Sequence, residues 1–353
     1  MTWAPSSQDS EPPETEQVVG GDRVTMIGRP AAGKSLLVGA LLRQGRKSWH
    51  SFSDKDWMII PNNDGRDDER NDIGELISLM NSFVQGRPLA ATYHHRILNY
   101  SIRLECELAG ELDGSIWSRL RARKPPKRSA DILITDAAGG LIMGPDEGNQ
   151  PRDVIRRAKE FTQIVRSSGG LIYCLPVGME ELDLGAEYKQ MAIIDDLIQN
   201  EEIGLERIVI CLTKYEVLWA PYGCEAFDLA RDPREFHEVA KREIPADLLK
   251  SLIALANRPR LRDKSAIEVC VVPVSAFGFV RGNGCVNYNP MTQHLLIESG
   301  GQLEVDSRSS LKPPYYNNRE AISYWQPFYI LDPFIYAAFG EKGDLTVDVR
   351  ELG

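Results

Sequence analysis

The sequence predicts an α/β protein: a three-layer sandwich with a mostly parallel sheet, one antiparallel edge strand and large insertions. Two observations carry that expectation. The first is a set of short, nearly continuous apolar runs, ADILIT (130–135), GLIYCLPV (170–177), RIVICLT (207–213) and IEVCVVPV (267–274). Runs of that kind suit strands buried on both faces. The second is the helical periodicity between them. Val154, Ala158, Phe161 and Val165 share one helical face, and Tyr188, Met191, Ile194 and Ile198 share another. Buried strands alternating with amphipathic helices make a parallel sheet covered on both sides.

The first strand, around Val24, Met26 and Ile27, has the same apolar character. A different strand lies between it and ADILIT. Leu98, Tyr100, Ile102, Leu104, Cys106 and Leu108 alternate with Asn99, Ser101, Arg103, Glu105 and Glu107. A period of two with one polar face fits an antiparallel strand at the margin of the sheet. The acidic, Pro-rich residues 1–17 read as a disordered tail, and 18–353 as a single folded unit. Insertions are expected near 45–91, 219–262 and 281–322. The first is expected to carry a helix in the periodic segment IGELISLMNSFV, the second a helix around REFHEVAKREI, and the third reads as a long exposed loop. A closing helix around ILDPFIYAAFG would pack its aromatics on the sheet.

Between the first strand and its helix stands Gly28-Arg29-Pro30-Ala31-Ala32-Gly33-Lys34-Ser35. This matches the phosphate loop G-x-x-x-x-G-K-[ST]. Gly28 and Gly33 let the backbone curl so that successive amides, those of Ala31, Ala32 and Leu36 among them, converge on a phosphate. The helix start adds its dipole. Lys34 would reach the β- and γ-phosphates, and the Ser35 hydroxyl would ligate Mg²⁺.

Other strands end in residues that would complete such a site. ADILIT runs into Asp136-Ala137-Ala138-Gly139, RIVICL into Thr213-Lys214-Tyr215-Glu216, and VVPV into Ser275-Ala276-Phe277. In this order, with one threonine before the second strand (Thr92 in GRPLAATYHH), they resemble the motifs of the Ras-like, translation-factor-related P-loop GTPases. GRPAAGKS resembles the phosphate loop and DAAG the D-x-x-G switch element. TKYE resembles the guanine-reading [NT]-K-x-D, and SAF the S-A-x base-supporting loop. The resemblance covers most of 20–339. It implies a P-loop GTPase fold that binds GTP and GDP with Mg²⁺. Ser35 and Thr92 would be direct metal ligands and Asp136 would act through water. Gly139 would sense the γ-phosphate, Lys214 would lie along the base, and Glu216 would accept from guanine. A weaker resemblance, in TDAAGG and WQPFYILDPF, is to bacterial GTPases of multi-component conflict systems.

Three departures from the family pattern matter. Glu216 stands where the family has Asp, still a carboxylate facing guanine's two donors but one methylene longer. Gly140 follows DAAG where a water-orienting Gln is frequent, so hydrolysis should be slow. Arg29 and Arg152 are candidate donors, and no catalytic residue is assigned. Pro30 and Ala31 stiffen a loop usually richer in glycine.

Composition bounds the partners. With 42% hydrophobic and 26% charged residues among 353, and a net charge of −10, the chain reads as soluble and without general affinity for nucleic acid or anionic membrane. No apolar run approaches a membrane span, and the N-terminus does not read as a signal peptide. The six cysteines form no C-x-x-C pair, and Cys174, Cys211 and Cys270 read as reduced core residues. The expected location is therefore the cytoplasm. His94 and His95, adjacent on an extended segment, point apart and make no metal site. The acidic cluster at 64–72 reads as a solvated loop. The basic stretch Lys124-Pro125-Pro126-Lys127-Arg128 is the local positive patch an acidic protein partner would use. The expected function is a nucleotide-controlled switch read by a protein partner or activator. An ATP-using P-loop enzyme and a non-hydrolysing scaffold are the alternatives.

Overall fold

The computed structural model describes residues 23–29, 32–44, 57–61, 97–107, 127–137, 168–178, 205–219, 225–258, 266–280, 287–289, 294–299, 302–305 and 325–353, with isolated positions at 74, 77, 159, 162, 163, 165, 166, 192, 194, 195 and 222. The expected tail at 1–17 lies outside them, as do Pro30, Ala31, Thr92, His94, His95, Gly139, Gly140 and Arg152.

Strand β1 (Arg23–Gly28) leads into helix α1 (Lys34–Gln44). Strands β2 (Trp57–Pro61), β3 (Ile97–Glu107), β4 (Lys127–Ala137), β5 (Gly170–Pro176) and β6 (Arg207–Thr213) follow. Next come helices α2 (Glu216–Trp219), α3 (Ala226–Arg231), α4 (Pro233–Glu243) and α5 (Ala246–Ala256), then strand β7 (Glu268–Pro273). Two small sheets are built from β8 (Ser275–Val280) with β12 (Trp325–Phe328), and from β9 (Asn287–Asn289), β10 (His294–Ser299) and β11 (Gln302–Val305). Helix α6 (Asp332–Phe339) and the short strand β13 (Val347–Asp348) close the chain.

The main sheet has eight strands in the order β13-β7-β6-β5-β1-β4-β3-β2. Its centre, β7 through β4, is parallel. The alternating segment is β3, antiparallel to β4 at the margin, and β2 pairs antiparallel outside it. On the far side β13 pairs antiparallel with β7.

The apolar runs are continuous because both faces are covered. Leu171, Tyr173, Ile208, Ile210, Val269 and Val271 point into one core, shared with Phe236, Leu248 and Leu252 of α4 and α5. The alternate residues Ile172, Cys174, Val209, Cys211, Cys270 and Val272 point into the other. Leu37 and Leu41 of α1 and Phe334 and Ile335 of α6 cover that second face. The aromatics of the closing helix therefore pack on the sheet as expected. Cys174, Cys211 and Cys270 are free and buried, and burial raises the Cys211 and Cys270 thiols well above the usual value.

Three segments differ from expectation. Part of 45–91 is strand β2, whose five residues are too few to show a period. The stretch 219–262 holds α3 and α5 besides the expected α4, which Asp232 caps by accepting the Arg234 N–H at 2.8 Å, with Pro233 in the first turn. The third stretch is not only loop: β9, β10 and β11 form an antiparallel sheet between 287 and 305.

Strand β1 sits between β4 and β5. The chain returns to β4 on one side and then crosses to β5 on the other. The carboxyl end of β1 is thus a topological switch point, where open α/β sheets form their ligand crevice.

Candidate functional site

The site begins where β1 ends. Gly28 has φ +147°, and a Cβ there would meet the Cys174 carbonyl oxygen of β5 at 2.5 Å. Only glycine lets the chain leave the strand in that direction. Gly33, at φ +86°, has open space around it, so its requirement is conformational. The Ala32 N–H donates to the Arg29 carbonyl at 3.3 Å, and the Leu37 N–H to the Gly33 carbonyl at 2.8 Å. The first amides of α1, from Lys34, Ser35 and Leu36, point along its axis toward the loop, as the first amides of any helix do.

Lys34 folds back into the curl. Its Nζ donates to the Gly28 carbonyl at 2.9 Å and the Arg29 carbonyl at 3.1 Å, and the residue is only 7% exposed. A nearly buried ammonium held at the mouth of a curled loop is a strong attractor for an anion. Ser35 and Leu36 are half-buried beside it, and Ala32 is buried.

A second loop, at the end of β6, is tied to the first. The Thr213 hydroxyl donates to the Ala32 carbonyl at 2.7 Å, between two buried residues. Lys214 then takes φ +58°, a left-handed conformation that costs a non-glycine residue about 1 kcal/mol or more. What holds it there is the next residue. The Tyr215 ring is fully buried in edge-on contact with Trp219, Phe236 and Phe328, at centroid distances of 5.9, 5.9 and 6.3 Å. The Tyr215 N–H also donates to the Val274 carbonyl at 3.2 Å, and the Val274 N–H to the Leu212 carbonyl at 2.8 Å. These bonds stitch the turn at 213–216 to the segment leading into β8.

Glu216 opens α2 with no exposed surface. Among the described residues neither carboxylate oxygen has a hydrogen-bond partner of ordinary geometry. Burial pushes its carboxyl up to about 7. The Ser275 hydroxyl, its own backbone N–H and Lys214 pull the other way without prevailing.

Ser275 and Ala276 are both buried, but not in a loop. They begin β8, where Ser275 pairs with Phe328 of β12 and its Oγ accepts the Gly278 N–H at 2.6 Å. The local sequence reads as a loop because the strand partner lies some fifty residues downstream, beyond the reach of periodicity.

Asp136 falls near the end of β4, in register with Met26 of β1 and Leu98 of β3. The backbone therefore sets it at the same sheet end as Ser35. Thr92, Gly139 and Ala31 lie outside the described residues, as does the side chain of Asp136. Among the described residues no group of three His, Cys, Asp or Glu is gathered for a metal. Ser35 and the register of Asp136 suit a cation held by one hydroxyl, one outer carboxylate and phosphate oxygens, which is how Mg²⁺ is usually bound.

Sequence reasoning missed Tyr215 as the anchor of the second loop. Its partners come from α2, α4 and β12, and no local signal announces them.

No helix among the described residues is long and apolar enough to cross a membrane. No family profile matches the chain, and no curated protein does. Among solved structures the chain is similar to the signal recognition particle receptor SRb-GTP/SRX complex from Chaetomium thermophilum, at 13% identity over 74% of this chain and 93% of that one, with a TM-score of 0.29. It is also similar to an oligomerised bacterial dynamin pair described in the sensing and tethering of membranes. There the identity is 16% over 72% of this chain, with a TM-score of 0.28, and the match spans 33% of that chain. At these scores the fold rests on the strand order itself.

Proposed function

We propose that the chain is a P-loop GTPase: a single G domain over 18–353 that binds GTP and GDP with Mg²⁺, hydrolyses slowly and acts as a switch read by a protein partner in the cytoplasm. One observation carries this reading. The hydrogen bond from Thr213 to Ala32 joins a phosphate-type loop and a T-K-x-E turn into one unit. A phosphate tail on the first loop then lies within reach of a base on the second.

The roles follow from the chemistry of each group. Lys34 exchanges its two carbonyl partners for phosphate oxygens and neutralises their charge. The glycine-framed backbone of 28–33 and the start of α1 donate to the same oxygens. Ser35, Thr92 and, through water, Asp136 would hold Mg²⁺. Bound there, the ion would supply positive charge to offset the charge that develops on the phosphate oxygens. Thr92 and Gly139 would lose their hold when the γ-phosphate leaves, an order–disorder change that a partner can read. Gly140 offers no side chain to orient water, which makes turnover slow. Lys214 would lie along the base, supported by Ser275 and Ala276. Glu216 would accept from guanine's two donors, each charge-assisted bond contributing about 1.5–3 kcal/mol.

Thermal unfolding with Mg²⁺ and either GTP or ATP tests this directly. At about a hundred times its dissociation constant the bound nucleotide adds roughly 2.7 kcal/mol. The expected result is a clear rise with GTP and a smaller one with ATP. A rise with ATP alone moves the protein to the class of ATP-using P-loop enzymes.

A further inference from the structure

We propose that guanine docking at Glu216 releases a proton from that side chain, so that the choice between guanine and adenine nucleotides changes with pH. The inference rests on the nucleotide-binding reading above and concerns the base half of that site.

Glu216 has no exposed surface, and no donor among the described residues bonds either of its oxygens in ordinary geometry. A carboxylate in such a place bears a large desolvation cost, so the side chain takes the neutral form more readily than an exposed glutamate. The groups around it are few. β8 contributes the Ser275 hydroxyl, the turn contributes Lys214, and the helix contributes its own first N–H. α3 packs on α2 without placing a charge that bears on the carboxyl, among the described residues. Lys214 is held in a left-handed backbone conformation and is half-buried, and it only partly offsets burial.

The two protonation states present different patterns. Ionised, the carboxyl offers two acceptors, which match guanine's N1–H and 2-amino group. Neutral, it offers one donor and one acceptor. The donor matches adenine's unprotonated N1, which an ionised carboxyl would repel. Guanine thus supplies two donors to the ionised form, and the carboxyl proton leaves to solvent as those bonds form. No covalent bond changes. With the carboxyl titrating near 7, its ionised fraction falls about tenfold from pH 8 to pH 6, and guanine affinity falls with it.

The test measures dissociation constants of GDP and ADP for the full chain at pH 6 and pH 8, with Mg²⁺ and constant ionic strength. The two ligands carry the same diphosphate, so phosphate titration cancels in their ratio. The expected result is that preference for GDP over ADP rises at least about tenfold from pH 6 to pH 8, and that Glu216→Gln flattens this rise. Should the variant fold poorly, the wild-type ratio decides alone. A ratio that stays constant while GDP still binds overturns the proton linkage and leaves nucleotide binding standing. Failure of GDP, ADP and inorganic tripolyphosphate alike to bind overturns both.

Discussion

Glu216 shows how one buried side chain weighs on stability and, in the proposed function, on recognition as well. Its carboxyl titrates near 7 in the folded protein against a usual value near 4.5. The sign follows from which state binds the proton more tightly. Below about pH 4.5 the residue is neutral folded and unfolded, and its contribution is intact. As pH rises toward 7 the unfolded chain ionises it freely while the folded protein resists, so stability is lost across that window. Above 7 the loss is complete, on the order of 3 kcal/mol. Glu216→Gln removes the titration, so the variant should match the parent near pH 5 or differ little, and exceed it by a few kcal/mol at pH 8. Urea unfolding midpoints at the two pH values measure this, and an equal offset at both contradicts it. The departure from Asp is legible in the sequence. The burial is not, because it depends on how α2 and β8 pack.

At the scale of elements, the site depends on loops that brace one another. The phosphate-type loop is legible from Gly28, Gly33 and Lys34 alone, since its conformation is local and its composition unusual. The turn at 213–216 is legible only as a motif. What positions it, Thr213 on Ala32 and Tyr215 among Trp219, Phe236 and Phe328, comes from distant parts of the chain. Thr213→Val keeps the shape and deletes the donor. It should cost about 1–3 kcal/mol, because the buried Ala32 carbonyl loses this bond. It should also weaken nucleotide binding without altering the base preference. Denaturant unfolding and competition between GTP and ATP check the two halves. A variant as stable as the parent would mean the loops stand independently. β8 and β2 escaped sequence reading for the same reason as Tyr215: each is short and defined by a partner strand remote in the chain.

For the whole molecule, the parallel centre of the sheet is the most legible feature. Strands β1, β5, β6 and β7 are buried on both faces, so their composition alone marks them, whereas β3 is marked by alternation. Strand order is not written locally, and it is the order that sets β1 between β4 and β5 and gathers the ends of β1, β4, β6 and β7 at one edge. The function proposed here is a property of that gathering. Its most direct test is equilibrium binding of labelled GTP and ATP to the parent protein and to Lys34→Ala. The account predicts that the parent prefers GTP, and that the variant loses affinity by about tenfold to a hundredfold, the value of one charge-assisted bond. A variant that binds GTP as tightly as the parent, or a parent that binds neither nucleotide, contradicts it.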